Sequence, residues 1–366
     1  MRIAAIIIAV VVLAALAAYM FVLIRRIADL LHMNTKNHIV KGVIAAIEVV
    51  IVIIVAQFGS SGFVALMHVI VVSLVLELFN LVLKRFGIWT KIFKSCILPV
   101  VIMAVFFGYG YYNIRNVVRE EYTIYTDKSI RQEGYKIAMI SDLHFGITLS
   151  KDELQEYCDK ISAENPDMLV LCGDIVDERT TKEEMLDAAK TLGSVKTNYG
   201  IYYIYGNHDK CTYTNTPAFS VEELSAALTD ANIKVLKDET TVINDDFTII
   251  GRDDVGFDRY GSRVSGEELL KQVDTNDFLL MLDHQPSELK QNDSLGYDLQ
   301  LSGHTHNGQI WPTGYFSEWL HMNEMSYGYK KFSNLQVIVS SGMAGWGTPI
   351  RTQSQSEYVI INVAKK

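Results

Sequence analysis

The chain has 366 residues, is 49% hydrophobic and carries a formal net charge of −9. That length allows two units, and the apolar residues crowd into the first 120 positions, which excludes a single ordinary globular domain. Residues 1–120 carry a net +7 and the remainder −16, so the C-terminal part is too acidic to be a nucleic-acid binder.

Four apolar runs come first, at Ile3–Ile24, Gly42–Phe58, Gly62–Leu83 and Ile97–Tyr112. Each is near the length that spans a bilayer core. The first is too long for the apolar core of a removable signal peptide. Four transmembrane helices are predicted over residues 1–120. The last run ends in Tyr109, Tyr111 and Tyr112, which suit a membrane interface. Arg25, Arg26, Lys36 and Lys41 follow the first run, and Lys84, Arg85, Lys91 and Lys94 follow the third, whereas the second loop, FGSSG, has no basic residue. Basic loops stay cytoplasmic, so both termini and the C-terminal domain are expected outside. Glu48, His68 and Glu77 fall within spans and are read as groups paired inside the bundle or near the headgroups.

Residues 121–366 alternate strands and helices. Strands are predicted at Lys136–Ile140, Met168–Leu171, Ile201–Tyr205, Phe247–Ile250, Phe278–Leu282, Leu299–Leu301, Val337–Ser340 and Tyr358–Val363. Helices are predicted near Lys151–Glu164, Lys182–Leu192, Val221–Ala231 and Gly266–Val273. The pattern is that of a layered α/β sandwich on a mixed sheet. Cys96, Cys158, Cys172 and Cys211 have neither a disulfide framework nor metal-ligand spacing and are read as small, mostly buried residues.

The polar residues gather where the strands stop. Asp142 and His144 follow the first of these strands, Asp174 and Asp177 the second, and Asn207, His208 and Asp209 the third; His284 follows a later strand, and His304 and His306 the next. Ligands collect at strand C-termini in open α/β sheets. Extended chain has period two, so Asp142-x-His144 and His304-x-His306 each present both side chains on one side. Imidazole, carboxylate and amide oxygen suit Zn, Mn or Fe. These are too many donors for one four-coordinate ion. Two metals sharing a carboxylate would use them, and would supply the local positive centre that an acidic domain needs to catch an anionic substrate.

The ordered blocks Asp142-Leu143-His144, Gly173-Asp174, Gly206-Asn207-His208-Asp209, His284 and Gly303-His304-Thr305-His306 resemble those of the calcineurin-like metallophosphoesterases. The resemblance covers about residues 135–363. It implies a four-layer αββα sandwich behind the transmembrane bundle, and two divalent ions (Mn, Fe or Zn). Asp142, His144 and His306 would bind the first, Asn207, His284 and His304 the second, and Asp174 would bridge them. It further implies that hydroxide held between the ions attacks phosphorus, that His208 protonates the leaving oxygen, and that Asp177 orients His208.

Two departures matter. Ser/Thr protein phosphatases of this superfamily continue the second block into Arg-Gly, whereas here Glu178 and Arg179 follow Asp177. The stretch SSGMAGWGTPIR, Ser340–Arg351, resembles a glycine-rich block of the bacterial membrane-linked branch. That branch implies phosphodiesters or lipid-linked diphosphates as substrates, with Arg351 as a contact to substrate phosphate. A phosphomonoesterase and a non-catalytic metal-binding receptor or scaffold are the alternatives. The expected partners are a phosphorylated small molecule or lipid and the membrane. Asp209 is read as a structural acid, Arg252, Asp253 and Asp254 as turn residues that could line the rim, and His32, His38, His321, Asn323 and Glu324 as surface or core groups.

Overall fold

The computed structural model describes residues 2–211, 213–254 and 263–366, with side chains from residue 14 onward except Ser60. It divides into two compact units, Met1–Tyr109 and Gly110–Lys366. The expected boundary at residue 120 therefore falls inside the second unit.

The first unit is helical: α1 (Arg2–Leu30), α2 (His38–Gln57), α3 (Gly59–Leu83), the short α4 (Gly87–Lys94) and the start of α5 (Ile97–Arg115). Among the described residues, three helical stretches are long and apolar enough to cross a membrane: His38–Gln57, Ser61–Leu83 and Ile97–Arg115. The first predicted span folds into α1, but the side chains of residues 3–13 lie outside the described residues. The predicted FGSSG loop shrinks to Phe58. Gly59 takes a left-handed turn, and α3 starts at once because Gly62 has no Cβ to strike the Val55 carbonyl oxygen, which would lie 2.2 Å away. Glu77 pairs with Arg26, and the His68 ring meets those of Phe106 and Phe107 at tilted and edge-on angles, so two of the three ionisable groups in the spans are partnered between helices.

The second unit opens with β1 (Val117–Thr126), a strand absent from the sequence reading, and continues through β2 (Tyr135–Ile140), α6 (Lys151–Ala163), β3 (Met168–Cys172), α7 (Lys182–Leu192), β4 (Ile201–Ile204), α8 (Val221–Asp230) and β5 (Ile233–Val235). Then follow β6 (Glu239–Ile243), β7 (Phe247–Gly251), α9 (Gly266–Leu270), β8 (Phe278–Leu282), α10 (Leu289–Leu295), β9 (Leu299–Ser302), α11 (Thr313–Trp319), β10 (Gly328–Lys331), β11 (Gln336–Val339) and β12 (Ser356–Lys365). The helices α6, α7 and α8 each begin with a capping box, Ser150/Glu153, Thr181/Glu184 and Ser220/Glu223. In each, a hydroxyl and a carboxylate satisfy the first exposed N–H groups of the helix.

Two mixed sheets form, ordered β1-β12-β2-β3-β4-β5 and β10-β11-β9-β8-β7-β6. Strands β2 to β5 are mutually parallel, as are β7, β8, β9 and β11. The alternation of β2 shows what holds them. Ala138 and Ile140 pack with α6 to α8, while Ile137 and Met139 pack with β7, β8 and β9 of the other sheet. A third core joins the far face of the second sheet to α9 and α10 through Leu279, Met281, Leu269 and Leu289. Burial on both faces is why the central strands read as unbroken apolar runs. The C-terminal ends of β2, β3, β4, β8 and β9 run into loops that meet at one edge of this core.

Candidate metal centre

The meeting loops bring together the histidines and acids read from the sequence. Asp142, His144 and His306 form one group, and Asp174, His284 and His304 a second; within each group the ligand atoms lie within 4.8 Å of one another. Asp142, His144, Asp174, Asn207 and His284 are all at most 3% exposed. The Asp174 Oδ2 atom lies 3.1 Å from His284 Nε2 and 3.8 Å from His144 Nε2, so one oxygen faces both groups. Asn207 Oδ1 lies 2.8 Å from His304 Nδ1, which puts Asn207 with the second group.

Close backbone approach makes this packing possible. A Cβ on Gly206 would lie 2.1 Å from Asp174 Oδ1, and one on Gly303 would lie 2.2 Å from Asp142 Oδ2. The motif glycines leave room for the carboxylates themselves. Asp142, His144, Asp174, His304 and His306 all have positive φ. Such left-handed conformations cost about 1–3 kcal/mol each in side-chain-bearing residues and persist where surrounding contacts enforce them, often at functional sites.

Asp209 supplies much of that enforcement. It is fully buried. Its carboxylate accepts from the backbone N–H groups of Asp174 at 2.6 Å, Gly206 at 2.8 Å, Ile175 at 2.9 Å and Val176 at 3.0 Å. This acid ties the loop after β3 to the loop after β4, a structural role that agrees with the sequence reading.

The donor set fits divalent ions. Burial pushes the His144 pKa down to about 3 and lowers those of His304 and His306, so these rings are neutral and offer lone pairs. His284 donates from Nδ1 to the Cys172 carbonyl at 2.7 Å, which leaves Nε2 turned toward Asp174. Burial opposes charge on both Asp174 and His284. Their mutual attraction outweighs it, holding the acid well below and the imidazole well above their ordinary ranges. The Nε2 atoms of His144 and His306 face each other at 3.2 Å, and buried His144 Nδ1 has no hydrogen-bond partner. Neutral nitrogens and a carboxylate oxygen converging on dry space are what a cation would satisfy.

His208 is 7% exposed, with its ring centroid 5.1 Å from that of His144. Here the structure corrects the sequence reading. The carboxylate at His208 Nδ1 belongs to Glu178, at 2.9 and 3.1 Å. Asp177 turns away and places Oδ2 3.8 Å from His144 Nδ1, while its Oδ1 accepts from Arg179 N. Burial works against a charged His208, but the Glu178 hydrogen bond and then Asp174 raise its pKa above the ordinary value. Glu178 was visible in the sequence only as a departure from a pattern.

Arg351 is also corrected. It is fully buried. Its guanidinium donates to the carbonyls of His306 at 3.2 Å and Ser341 at 2.8 Å, to that of Ala344, and to Ser354 Oγ at 3.0 Å. It clamps the His306 loop to the glycine-rich block from behind, with both terminal nitrogens spent on the protein and the side chain shut off from solvent. Arg252 is likewise internal, paired with Glu288 and 3.6 Å from Asp283. Asp253 pairs with Lys210 at 2.6 Å.

The family model for calcineurin-like phosphoesterases matches residues 135–308. An uncharacterised metallophosphoesterase of Aquifex aeolicus is 33% identical over 250 residues, covering 68% of this chain and 92% of that one. The chain belongs to the calcineurin-like phosphoesterase family. Members of this family hydrolyse phosphoric esters, and the two groups of donors in this chain could hold two metals. A Danio rerio protein named as a transmembrane protein with a metallophosphoesterase domain is 30% identical over 284 residues, covering 75% of this chain and 63% of that one. Among solved structures, a dimetal phosphatase from Danio rerio aligns at 12% identity and a TM-score of 0.40, over 57% of this chain and 88% of that one.

Proposed function

We propose that this chain is a membrane-anchored, binuclear metal-dependent phosphoesterase that cleaves a phosphodiester or diphosphate, with a lipid or envelope precursor as substrate. The observation that carries the reading is the pair of donor groups facing a single oxygen of Asp174, with His208 beside them on Glu178. Asp142, His144 and His306 would hold one ion, Asn207, His284 and His304 the other, with Asp174 facing both. Those residues would place at the site two divalent ions, whose chemistry would be Lewis acidity toward phosphoryl oxygens and a lowered pKa for water.

The remaining work falls to this chain's own residues. His208 carries the proton for the leaving oxygen on Nε2, because Glu178 holds its Nδ1–H and favours the imidazolium. The αββα layering is supported by the three separate cores. The four-span anchor is supported by the apolar runs, and the extracytoplasmic domain by basic loops one and three. The acidic C-terminal unit argues against nucleic acid as substrate.

The test is hydrolysis of bis-p-nitrophenyl phosphate against p-nitrophenyl phosphate by the full chain in detergent with added Mn. Diester turnover that Asp174→Asn removes is expected. Monoester preference would favour a phosphomonoesterase. Metal bound without turnover of either would favour a receptor or scaffold.

A further inference from the structure

The segment between β9 and β10 leaves Trp311, Tyr315, Phe316, Trp319, Leu320 and Met322 exposed, Trp319 by 75% and Met322 by 70%. A contiguous run of this size on an acidic domain marks an interaction face. Two relationships indicate what covers it. The first is a shared strap. Arg351 N donates to the Gly110 carbonyl at 2.9 Å and Asn113 Nδ2 to the Arg351 carbonyl at 3.1 Å. In the same strap, Thr352 Oγ1 accepts from Trp311 N at 2.9 Å and Gln353 Oε1 from Gly314 N at 3.0 Å. One three-residue stretch, Arg351–Gln353, thus holds both the final turns of apolar helix α5 and the base of α11. Those final turns also expose Tyr111 and Tyr112. The second relationship is to the metal centre. The segment leaves directly from the His304/His306 loop, and the His208 ring lies 4.7 Å from Tyr213 and 5.6 Å from Trp346, both half-exposed.

We propose that α11 and its flanks dock into the headgroup layer of the membrane that α5 enters, and that they set the metal centre against it to receive the phosphate of a membrane lipid. The substrate half of this inference rests on the phosphoesterase reading above; the docking half does not. Trp and Tyr favour the headgroup boundary, and an interfacial helix buries its apolar side there. Within α11 the only ionisable residues are Tyr315 and Glu318, with no Lys or Arg. Attachment is therefore apolar rather than electrostatic, which suits an acidic domain and predicts insensitivity to salt.

The test uses the full chain in nanodiscs of phosphatidylcholine and phosphatidylglycerol, in a Cys96→Ser background. Trp319→Cys, labelled with an environment-sensitive dye, is expected to be quenched by doxyl-labelled lipid at low and high salt. Leu186→Cys on α7, also exposed, is expected to stay unquenched. A dye at 319 that is as open to an aqueous quencher as one at 186 overturns docking. A dye shielded from both quenchers overturns it in favour of a protein cover, such as a second copy of this chain. A second measurement compares a fluorescent-tailed lipid diphosphate with bis-p-nitrophenyl phosphate. Phe316→Ser with Trp319→Ser should lower lipid turnover by about tenfold and leave the soluble diester unchanged. Immersion of the dye without lipid cleavage by the wild type overturns the substrate half alone. Failure on both substrates, with the dye immersed, counts against the phosphoesterase reading and leaves the docking face intact.

Discussion

His208 and Glu178 form a hydrogen-bonded pair, Nδ1 to carboxylate at 2.9 Å, at the edge of the metal centre. The pair gives the proton donor a counter-charge that a neutral partner could not. Replacing Glu178 by Gln should reduce kcat by about tenfold or more, a fraction of the 10²–10⁴ typical of general acid catalysis. Activity needs imidazolium, so it falls as pH rises through the raised His208 pKa. In Glu178→Gln that alkaline limb should move to lower pH, because the largest raising influence is gone. Asp177→Asn should move the limb less, because Asp177 raises the His208 pKa only through space and behind Glu178 and Asp174. A kcat profile from pH 5 to 9 on the soluble diester decides between the two acids.

Metal loading should depend on pH through His284. Its proton is held well above the ordinary histidine range by Asp174, and a metal on Nε2 must displace it. Apparent affinity for Mn should therefore climb with pH until the medium passes the His284 pKa, then level off. Calorimetric titration in two buffers of different ionisation enthalpy should show proton release at pH 7. Equal heats in both buffers would place the metal elsewhere or leave His284 uninvolved.

Asp209→Asn should destabilise the second unit. Four backbone N–H groups converge on this carboxylate, and an amide replaces one acceptor with a donor and removes the charge. The expected loss is about 1–3 kcal/mol, the cost of leaving a buried backbone N–H without its acceptor. The readout is the apparent Tm in detergent, with Asp253→Asn at the Lys210 pair as a milder comparison.

Arg351→Lys separates two roles. A substrate contact would raise KM and leave stability intact. The fan of carbonyl acceptors around Arg351 predicts the reverse: a lower Tm, with KM unchanged in the protein that still folds.

Removal of metal should lower Tm. Five ligand-bearing residues sit at positive φ, and the Nε2 atoms of two rings lowered in pKa, His144 and His306, face each other at 3.2 Å. The chain stripped with a chelator should melt lower and regain Tm with Mn in a concentration-dependent way.

Much of this protein follows from the chain's local order. The apolar runs fixed which stretches become long helices, since a bilayer-length apolar segment has few other stable forms. The strands β2, β3, β4, β8 and β9 and their terminal Asp, Asn and His residues were legible because burial on both faces demands apolar runs, and ligands need particular donors. Asp209 was legible as a structural acid for the same reason. The sheets were less so. Strand β1 carries charged residues on an edge, Val117–Thr126, and becomes a strand only by pairing with β12 from the far end of the chain. Nor does the order of residues say which carboxylate reaches which ring. Asp177 and Glu178 are neighbours with the same chemistry, and the turn between β3 and α7 alone sends Glu178 to His208 and Asp177 toward His144. Arg351 carries the same charge inside or outside, and its burial behind His306 is decided by how the glycine-rich block folds against that loop. Donor chemistry is written residue by residue, whereas direction and burial come from contacts between stretches distant in sequence.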